Sequence, residues 1–372
     1  MFKYIVKRIL LSALILIGVS LIIYVLVRIQ PGENFVRKKY SAQLAQDSTG
    51  DVEKMVQRME NTYGLDVNPF TGYMKWLGNV VSGDWGDSFI FSVDSGKTEK
   101  FYIVTDEENR TEYIKYEKES EIPEGVTEDR LIERPIATQS VITIIYQKSG
   151  ISFIISFIAT VFEFAIAIPL GILSARKQYS VLDYSVTVIA MMGISLPTFF
   201  LGALMLKFFS IDLGWFPYAG LVDPNSGLPR IVDYMYHLVL PLTTLIILSI
   251  GGLMRYTRTN MLEVLNADYI RTARAKGLSE HSVIYKHAFR NSLIPIVTML
   301  AGILPGLFGG AMITETVFSI DGIGKTAYKA VVQGDIPFIM AYNMFLSFLT
   351  VVGTLMSDLM YAVVDPRVHI TD

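Results

Sequence analysis

The chain has 372 residues, of which 51% are hydrophobic and only 18% charged, and its mean hydropathy is +0.42. A typical soluble domain carries about 25% charged residues, so composition argues against a soluble, disordered or nucleic-acid-binding chain. The formal net charge of −3 is unevenly placed: residues 30–140 hold 13 Lys/Arg against 21 Asp/Glu, while the rest is apolar with basic punctuation. That is the pattern of a membrane protein with one large water-exposed insertion. There is no cysteine, which removes disulfides, thiolate metal sites and cysteine nucleophiles. Four histidines (His237, His281, His287 and His369) supply a multi-histidine metal centre poorly.

A spanning helix needs roughly 20 mostly apolar residues, and six stretches qualify. The first, Ile9 to Val27, is free of charge and follows Lys3, Lys7 and Arg8. Its length exceeds the apolar core of a signal peptide, about 7–15 residues, and marks an uncleaved span. The others run from about Ser149 to Ala175, with one charge at Glu163; Tyr184 to Leu206, interrupted by Pro197; Leu238 to Met254; Ser292 to Val317, with Pro295 and Pro305; and Phe338 to Val364, with Asp358. The expected organisation is 1–29, tail and first span; 30–140, an outer domain; and 141–372, a five-helix core with a loop at 255–290.

Within the outer block, residues 31–88 read as helices and loops. Asp51 is placed to cap a helix that carries Val52, Met55, Val56 and Met59 on one face. Residues 90–133 differ: Phe101 to Val104 and Thr111 to Tyr116 predict two strands joined by a turn at 106–109. Asn109-Arg110-Thr111 fits a glycosylation sequon, a short pattern that matters only on a eukaryotic secretory route.

Lys and Arg in short loops orient the spans. The N-terminus, the 176–182 loop and above all the 255–290 loop are basic, with Arg255, Arg258, Arg271, Arg274, Lys276, Lys286 and Arg290 in the last. Both termini are therefore expected in the cytoplasm and the 30–140 block outside.

No catalytic constellation is present. Gly324-Lys325-Thr326 ends like a P-loop, but the pattern needs Gly where Ser319 stands. Glu163, Glu315 and Asp358 could form an intramembrane acid cluster, although helix packing is the commoner use of such groups.

The 255–290 loop is the most informative segment. Asp268 is expected to cap a helix through Arg271, Thr272, Ala273, Arg274, Ala275 and Lys276. Gly277 then fits the C′ position, and after Leu278, Ser279 is placed to cap a second short helix. Small residues at Ala273 and Gly277 would let another protein approach closely. Spacing alone leaves equal room for a basic amphipathic loop on anionic lipid.

In the general pattern of ABC-importer permeases, this loop carries Glu-Ala-Ala, three residues, then Gly. Here the triplet is Arg271-Thr272-Ala273, followed by Gly277, and the later Ile-x-Leu-Pro is absent. Arg271 to Leu278, His287 to Asn291 and Ile294-Pro295 instead resemble the dipeptide, oligopeptide and nickel group of these permeases, of the oligopeptide-permease type. So do Trp76-Leu77-Gly78-Asn79, Gly83-Asp84, Arg134-Pro135, Ile168-Pro169-Leu170-Gly171, Ser195-Leu196-Pro197, Gly214-Trp215-Phe216-Pro217, Glu315-Thr316-Val317-Phe318, Gly322-Ile323-Gly324 and Asp365-Pro366-Arg367. Only about 90–133 stands apart, as an insertion, and Glu163 sits where an apolar residue is expected.

The resemblance implies an all-α polytopic membrane protein with six spans of the type I importer kind and an extracellular α+β insertion after the first. It implies a non-enzymatic permease subunit of a bacterial peptide importer in the cell membrane. Its implied partners are a second permease, two cytoplasmic ATPases and an extracellular solute-binding lipoprotein. ATP and Mg²⁺ would be used by the ATPases and no cofactor by this chain. The 268–279 segment would be the coupling helix, and Ser195, Pro197, Pro305 and Glu163 are candidates for the translocation path. A nickel or other small-solute permease is the alternative within the family. An ion-coupled secondary transporter is the alternative outside it, and there only Glu163 offers a coupling group.

Overall fold

The computed structural model describes residues 2–29, 34–46, 51–91, 98–105, 111–116, 131–135 and 139–364. The sequon's Asn109 and the motif Asp365-Pro366-Arg367 lie outside them. Four single helices are long and apolar enough to cross a bilayer: α1 (Phe2–Arg28), α5 (Val141–Arg176), α8 (Arg230–Leu265) and α14 (Ile336–Val364). Two bent pairs, each counted as one span, bring the count among the described residues up to six.

Each bend has a proline cause. Helix α6 (Val181–Ser195) stops before Leu196, which is extended at ψ 130°. Pro197 disfavours helical geometry in the residue before it. The chain restarts as α7 (Thr198–Met205) and a π-helical stretch, Leu206–Asp212, turned by 101°. The second pair bends by 48° at Leu300. It joins the short α10 (Glu280–Ser282), a π-helical stretch Val283–Phe289 and the first half of α11 (Arg290–Gly309) to the second half of α11 and α12 (Met312–Val317). Pro305 removes the helical donor to the Ala301 carbonyl and crowds it, which bends the helix there. Gly353 of α14 lies against that carbonyl, so closely that a Cβ would overlap it.

The described residues fall into two bodies. The larger holds Lys148–Tyr328 with the first part of α1 and the last part of α14. Its helices meet through small residues, as close packing in a bilayer requires. A Cβ on Gly171 of α5 would lie 2.7 Å from Thr257 Cβ of α8, and one on Gly193 of α6 would lie 2.7 Å from the Ile247 carbonyl of α8.

Several buried acids in this body are paired. Asp183, 2% exposed, accepts from Arg258 Nε at 2.7 Å and Nη2 at 2.8 Å, from the Tyr179 amide at 3.0 Å and from the Ser174 hydroxyl. This fork joins the end of α5, the turn after it and α8. Asp358 pairs with Arg8 at 3.0 Å. His237 Nδ1 donates to the Asp233 carbonyl at 2.9 Å, and the Asp233 carboxylate accepts from the Asp223 amide at 2.7 Å.

Glu315, 1% exposed, organises the turn between α12 and α13 (Ile323–Gln333). Its Oε1 accepts from Ser152 Oγ at 2.6 Å and the Ala311 amide at 3.1 Å; its Oε2 accepts from the Lys325 amide at 2.9 Å. Ser152 Oγ in turn accepts from the Ile323 amide at 2.9 Å. The N-terminus of α13 thus holds an internal carboxylate where a phosphate would otherwise sit, so Gly324-Lys325-Thr326 serves packing. Glu163, Glu315 and Asp358 have separate surroundings and form no shared acid cluster.

The second body holds Leu16–Gln147 with Lys329–Phe345. Helices α2 (Phe35–Gln46), α3 (Asp51–Thr62) and α4 (Pro69–Ser82) pack a core of Tyr24, Phe35, Val56, Tyr63, Tyr73 and Trp76. The described part of α3 begins at Asp51, and Val52, Val56 and Met59 face this core. Arg37 reaches Glu53 and Glu60, both at 2.8 Å, and these carboxylates hold its guanidinium still further from deprotonation. Buried Asp335 caps α14 through the Phe338 amide at 3.3 Å and holds the Phe89 amide at 3.2 Å and the Ser88 hydroxyl.

The strand segment forms an antiparallel sheet in the order β2-β1-β3 from β1 (Thr98–Thr105), β2 (Thr111–Tyr116) and β3 (Leu131–Pro135). β1 and β2 are the expected hairpin, with Thr105 opposite Thr111. β3, where only a motif match at Arg134-Pro135 was read, adds a third strand paired with β1.

Glu315→Ala should leave the amides of Ala311 and Lys325 and the Ser152 hydroxyl without their acceptor, at roughly 1–3 kcal/mol for each group that finds no substitute. Thermal unfolding of the detergent-solubilised protein should shift down clearly, whereas Lys325→Ala, which keeps the amide, should shift it little.

Candidate functional site

Helix α8 is 36 residues long, about 54 Å at 1.5 Å per residue, against a hydrocarbon core of about 30 Å. It outruns the apolar layer and delivers the chain to α9 (Asp268–Ala275). The N-cap of α9 is Ala267, which offers no side-chain acceptor. Asp268 is therefore not the expected cap: it is the first helical residue, exposed, 3.5 Å from Arg271. There it favours the positive end of the helix through its charge.

The other end closes as expected. Gly277 has φ +75°, a conformation that costs a residue with a Cβ about 1–2 kcal/mol. The Gly277 amide bonds the Arg274 carbonyl at 2.9 Å and the Leu278 amide bonds that of Ala273 at 3.4 Å, a Schellman closure. Ser279 caps α10 through the Ser282 amide at 3.4 Å. Arg274 Nε bridges the turn to Glu280 Oε1 at 2.8 Å.

One face of this element is anchored. Ile270 is 0% exposed and packs with Ala273, Ile172, Met261, Val283 and Ile284. Ala273 is thus turned into the chain's own core and is not available for close approach by another protein. Gly277 is exposed with open space around it. The outward face presents Tyr269, Arg271, Thr272, Arg274, Ala275, Lys276, Leu278 and His281. It is a basic ridge on an apolar foot.

The four path candidates are not brought to one place. Ser195 bonds back to the Met191 carbonyl at 2.8 Å, beside exposed Pro197 at the α6–α7 break. Pro305 lies inside α11. Glu163 of α5 lines a cavity of about 220 Å³ with Ser156, Thr160, Ser249, Gly306 and Gly310. Among the described residues no group of three or more His, Asp or Glu is placed to hold a metal ion. The Asp183–Arg258 fork was missed by sequence reasoning; an acid in an apolar helix with an arginine on another was its only signal.

A family model described as "binding-protein-dependent transport system inner membrane component" matches residues 167–370. The oligopeptide transport system permease protein AppB of Bacillus subtilis (strain 168) is 33% identical over 372 residues, covering 99% of this chain and 100% of that protein. The dipeptide transport system permease protein DppB of the same strain is 28% identical over 370 residues, covering 100% and 99%. Among solved structures, an inward-facing MetNI methionine ABC transporter aligns with a TM-score of 0.48 and 18% identity, over 60% of this chain and 98% of that one.

Ile270→Ala should hollow the foot of α9 at a cost of about 2–5 kcal/mol. Hydrogen exchange of the 268–276 amides should quicken by at least about tenfold, while the α5 and α6 amides away from the foot stay protected. Arg274→Ala breaks only an exposed ion pair, worth about 0–1 kcal/mol, and should change the exchange little.

Proposed function

Because the chain belongs to the family of binding-protein-dependent transport system inner membrane components, we propose that it is the membrane-spanning permease subunit of an ATP-driven importer of peptides, and that the α9–Gly277–α10 element is where its ATPases drive it. The observation that carries the coupling assignment is the two-faced build of that element. Its foot, Ile270 and Ala273, is fixed to α5, α8 and the 283–289 stretch, and its basic ridge is left for a partner.

The chain is a transport subunit, not an enzyme, and ATP and Mg²⁺ belong to two cytoplasmic ATPase partners. A second, homologous permease completes the membrane assembly, and an extracellular solute-binding lipoprotein delivers the peptide. The sequence of basic loops supports cytoplasmic termini and an outer location for 30–140, where the β2-β1-β3 sheet offers a docking edge. The division into 1–29, 30–140 and 141–372 follows from the same orientation.

Mechanically, closure of the ATPase pair moves two such ridges together. Each ridge is fixed to α8, and α8 is forked to the α5–α6 turn through Arg258 and Asp183, so the displacement passes to the spans as rigid-body rocking. The bends at Pro197 and Pro305 are the places where the spans can yield, and with Ser195 and Glu163 they are assigned to the path. ATP shifts the equilibrium only through its different affinity for the two states. Peptides, up to oligopeptides, are the assigned cargo, in keeping with the names of the relatives.

Gly277→Asp tests the coupling. Asp tolerates positive φ better than most residues, and the space around Gly277 is open, so the chain itself should fold and insert. At an ATPase contact, an unpaired buried charge costs a few kcal/mol. The purified complex should lose its ATPases or hydrolyse ATP without moving peptide. Normal ATP-driven uptake by this variant in proteoliposomes would refute the assignment.

A further inference from the structure

The acids that the spans of the larger body bury or half-bury are matched by the fold, with one exception. Asp183 has Arg258, Asp358 has Arg8, Asp233 has the Asp223 amide and His237, and Glu315 has two amides and a hydroxyl. Glu163, half-buried in α5, has no ion-pair partner among the described residues, and Ser249, whose hydroxyl donates to the Ile246 carbonyl at 3.3 Å, lines the same cavity. It opens instead on the cavity of about 220 Å³ that lies among α5, α8 and α11.

The walls of that cavity suit a small polar cation. Ser156, Thr160 and Ser249 add hydroxyl oxygens that can accept from an ammonium, and Gly306 and Gly310 keep the α11 side free of side chains. A carboxylate in a bilayer is expensive unless a cation meets it. The fold supplies none, which leaves the carboxyl group to a proton or to a cation from outside the chain. The cavity is lined by this one chain, its hydroxyls lie beside Ala159, Leu245 and Ala311, and it is open on one side, as a site for a passing solute must be.

We propose that Glu163 and the hydroxyls of Thr160 and Ser249 form a subsite on the transport path for the cationic amino group of a peptide. This rests on the permease reading above and adds to it the charged group that the membrane segment recognises. The subsite favours entry of a free α-amine or a lysine ammonium into the bilayer region and holds it weakly enough to pass on.

The absence of native cysteine in this chain allows a direct test. Thr160→Cys is made in the complete transporter, alone or together with Glu163→Gln or Glu163→Asp. Labelling by ammonium-ethyl and by sulfonatoethyl methanethiosulfonate is followed by mass on this chain, and each rate is normalised to that with a free thiol. In the two versions that keep a carboxylate at position 163, the cationic reagent should be favoured by about tenfold or more. In Glu163→Gln the preference should vanish. Trialanine should protect the cysteine and N-acetyl-trialanine should not, unless a lysine replaces its central residue.

Equal reagent preference with Glu and Gln at 163 would overturn the subsite. Retained preference without protection by any peptide would overturn its assignment to peptide. Labelling of the isolated chain but not of the complex would show that a neighbouring subunit fills the cavity, and would also overturn it. Selective labelling with protection, in a complex that imports no trialanine, would strike the permease reading and leave the subsite standing.

Discussion

The two-pronged bond between Arg258 and Asp183 is the interaction on which the transport account depends. A lone aspartate and a lone arginine would each be costly where α6 and α8 meet, and together they satisfy one another with good geometry. Ser174 and the Tyr179 amide complete the carboxylate's shell, so the end of α5, the turn and α8 are tied together. The fork adds a charged tie to the close packing of α8 on α5 and α6 at Gly171 and Gly193. With it, a push on α9 has somewhere to go.

The same rule, that a polar group withdrawn from water must find partners inside the fold, accounts for much of the remaining architecture. Glu315 draws together the start of α12, the start of α13 and Ser152 of α5; the tight glycines around it, Gly322 and Gly324, leave the room its carboxylate needs. In the second body, Asp335 does the same for the start of α14 and the 88–91 turn. Both carboxylates sit where helix N-termini would otherwise leave amides unpaired. Glu163 is informative because it breaks the pattern.

What the sequence made legible was what short-range chemistry controls. Hydropathy located every span, because apolar length is a local property, and Pro197 and Pro305 announced the two bends. Gly277 and Ser279 announced the turn after α9, since positive φ and a capping hydroxyl are read from single residues. Asp268 was misjudged by one position, because a cap and a first-turn acid look alike before the backbone is known. Ala273 was misread because its small size suits an outside contact and an inside one equally; only the packing of Ile270 and Ile284 decides. Glu315 was left between an acid cluster and a packing or partner-facing role, and its acceptor role was not legible, because Ser152 is 163 residues away. The π-helical stretches and β3 had no periodic signal strong enough to mark them.

The central claim is that the ridge on α9 is the surface the ATPases hold. Its most direct measurement is thiol cross-linking in the assembled transporter, with single cysteines placed at Tyr269, Arg271 and Leu278 on the ridge and at Asp212 and Asn225 in the 206–229 segment as controls. The account predicts cross-links from the three ridge positions to an ATPase subunit, altered by ATP, and none from the controls. Cross-links to an ATPase from the controls, with none from the ridge, would contradict it.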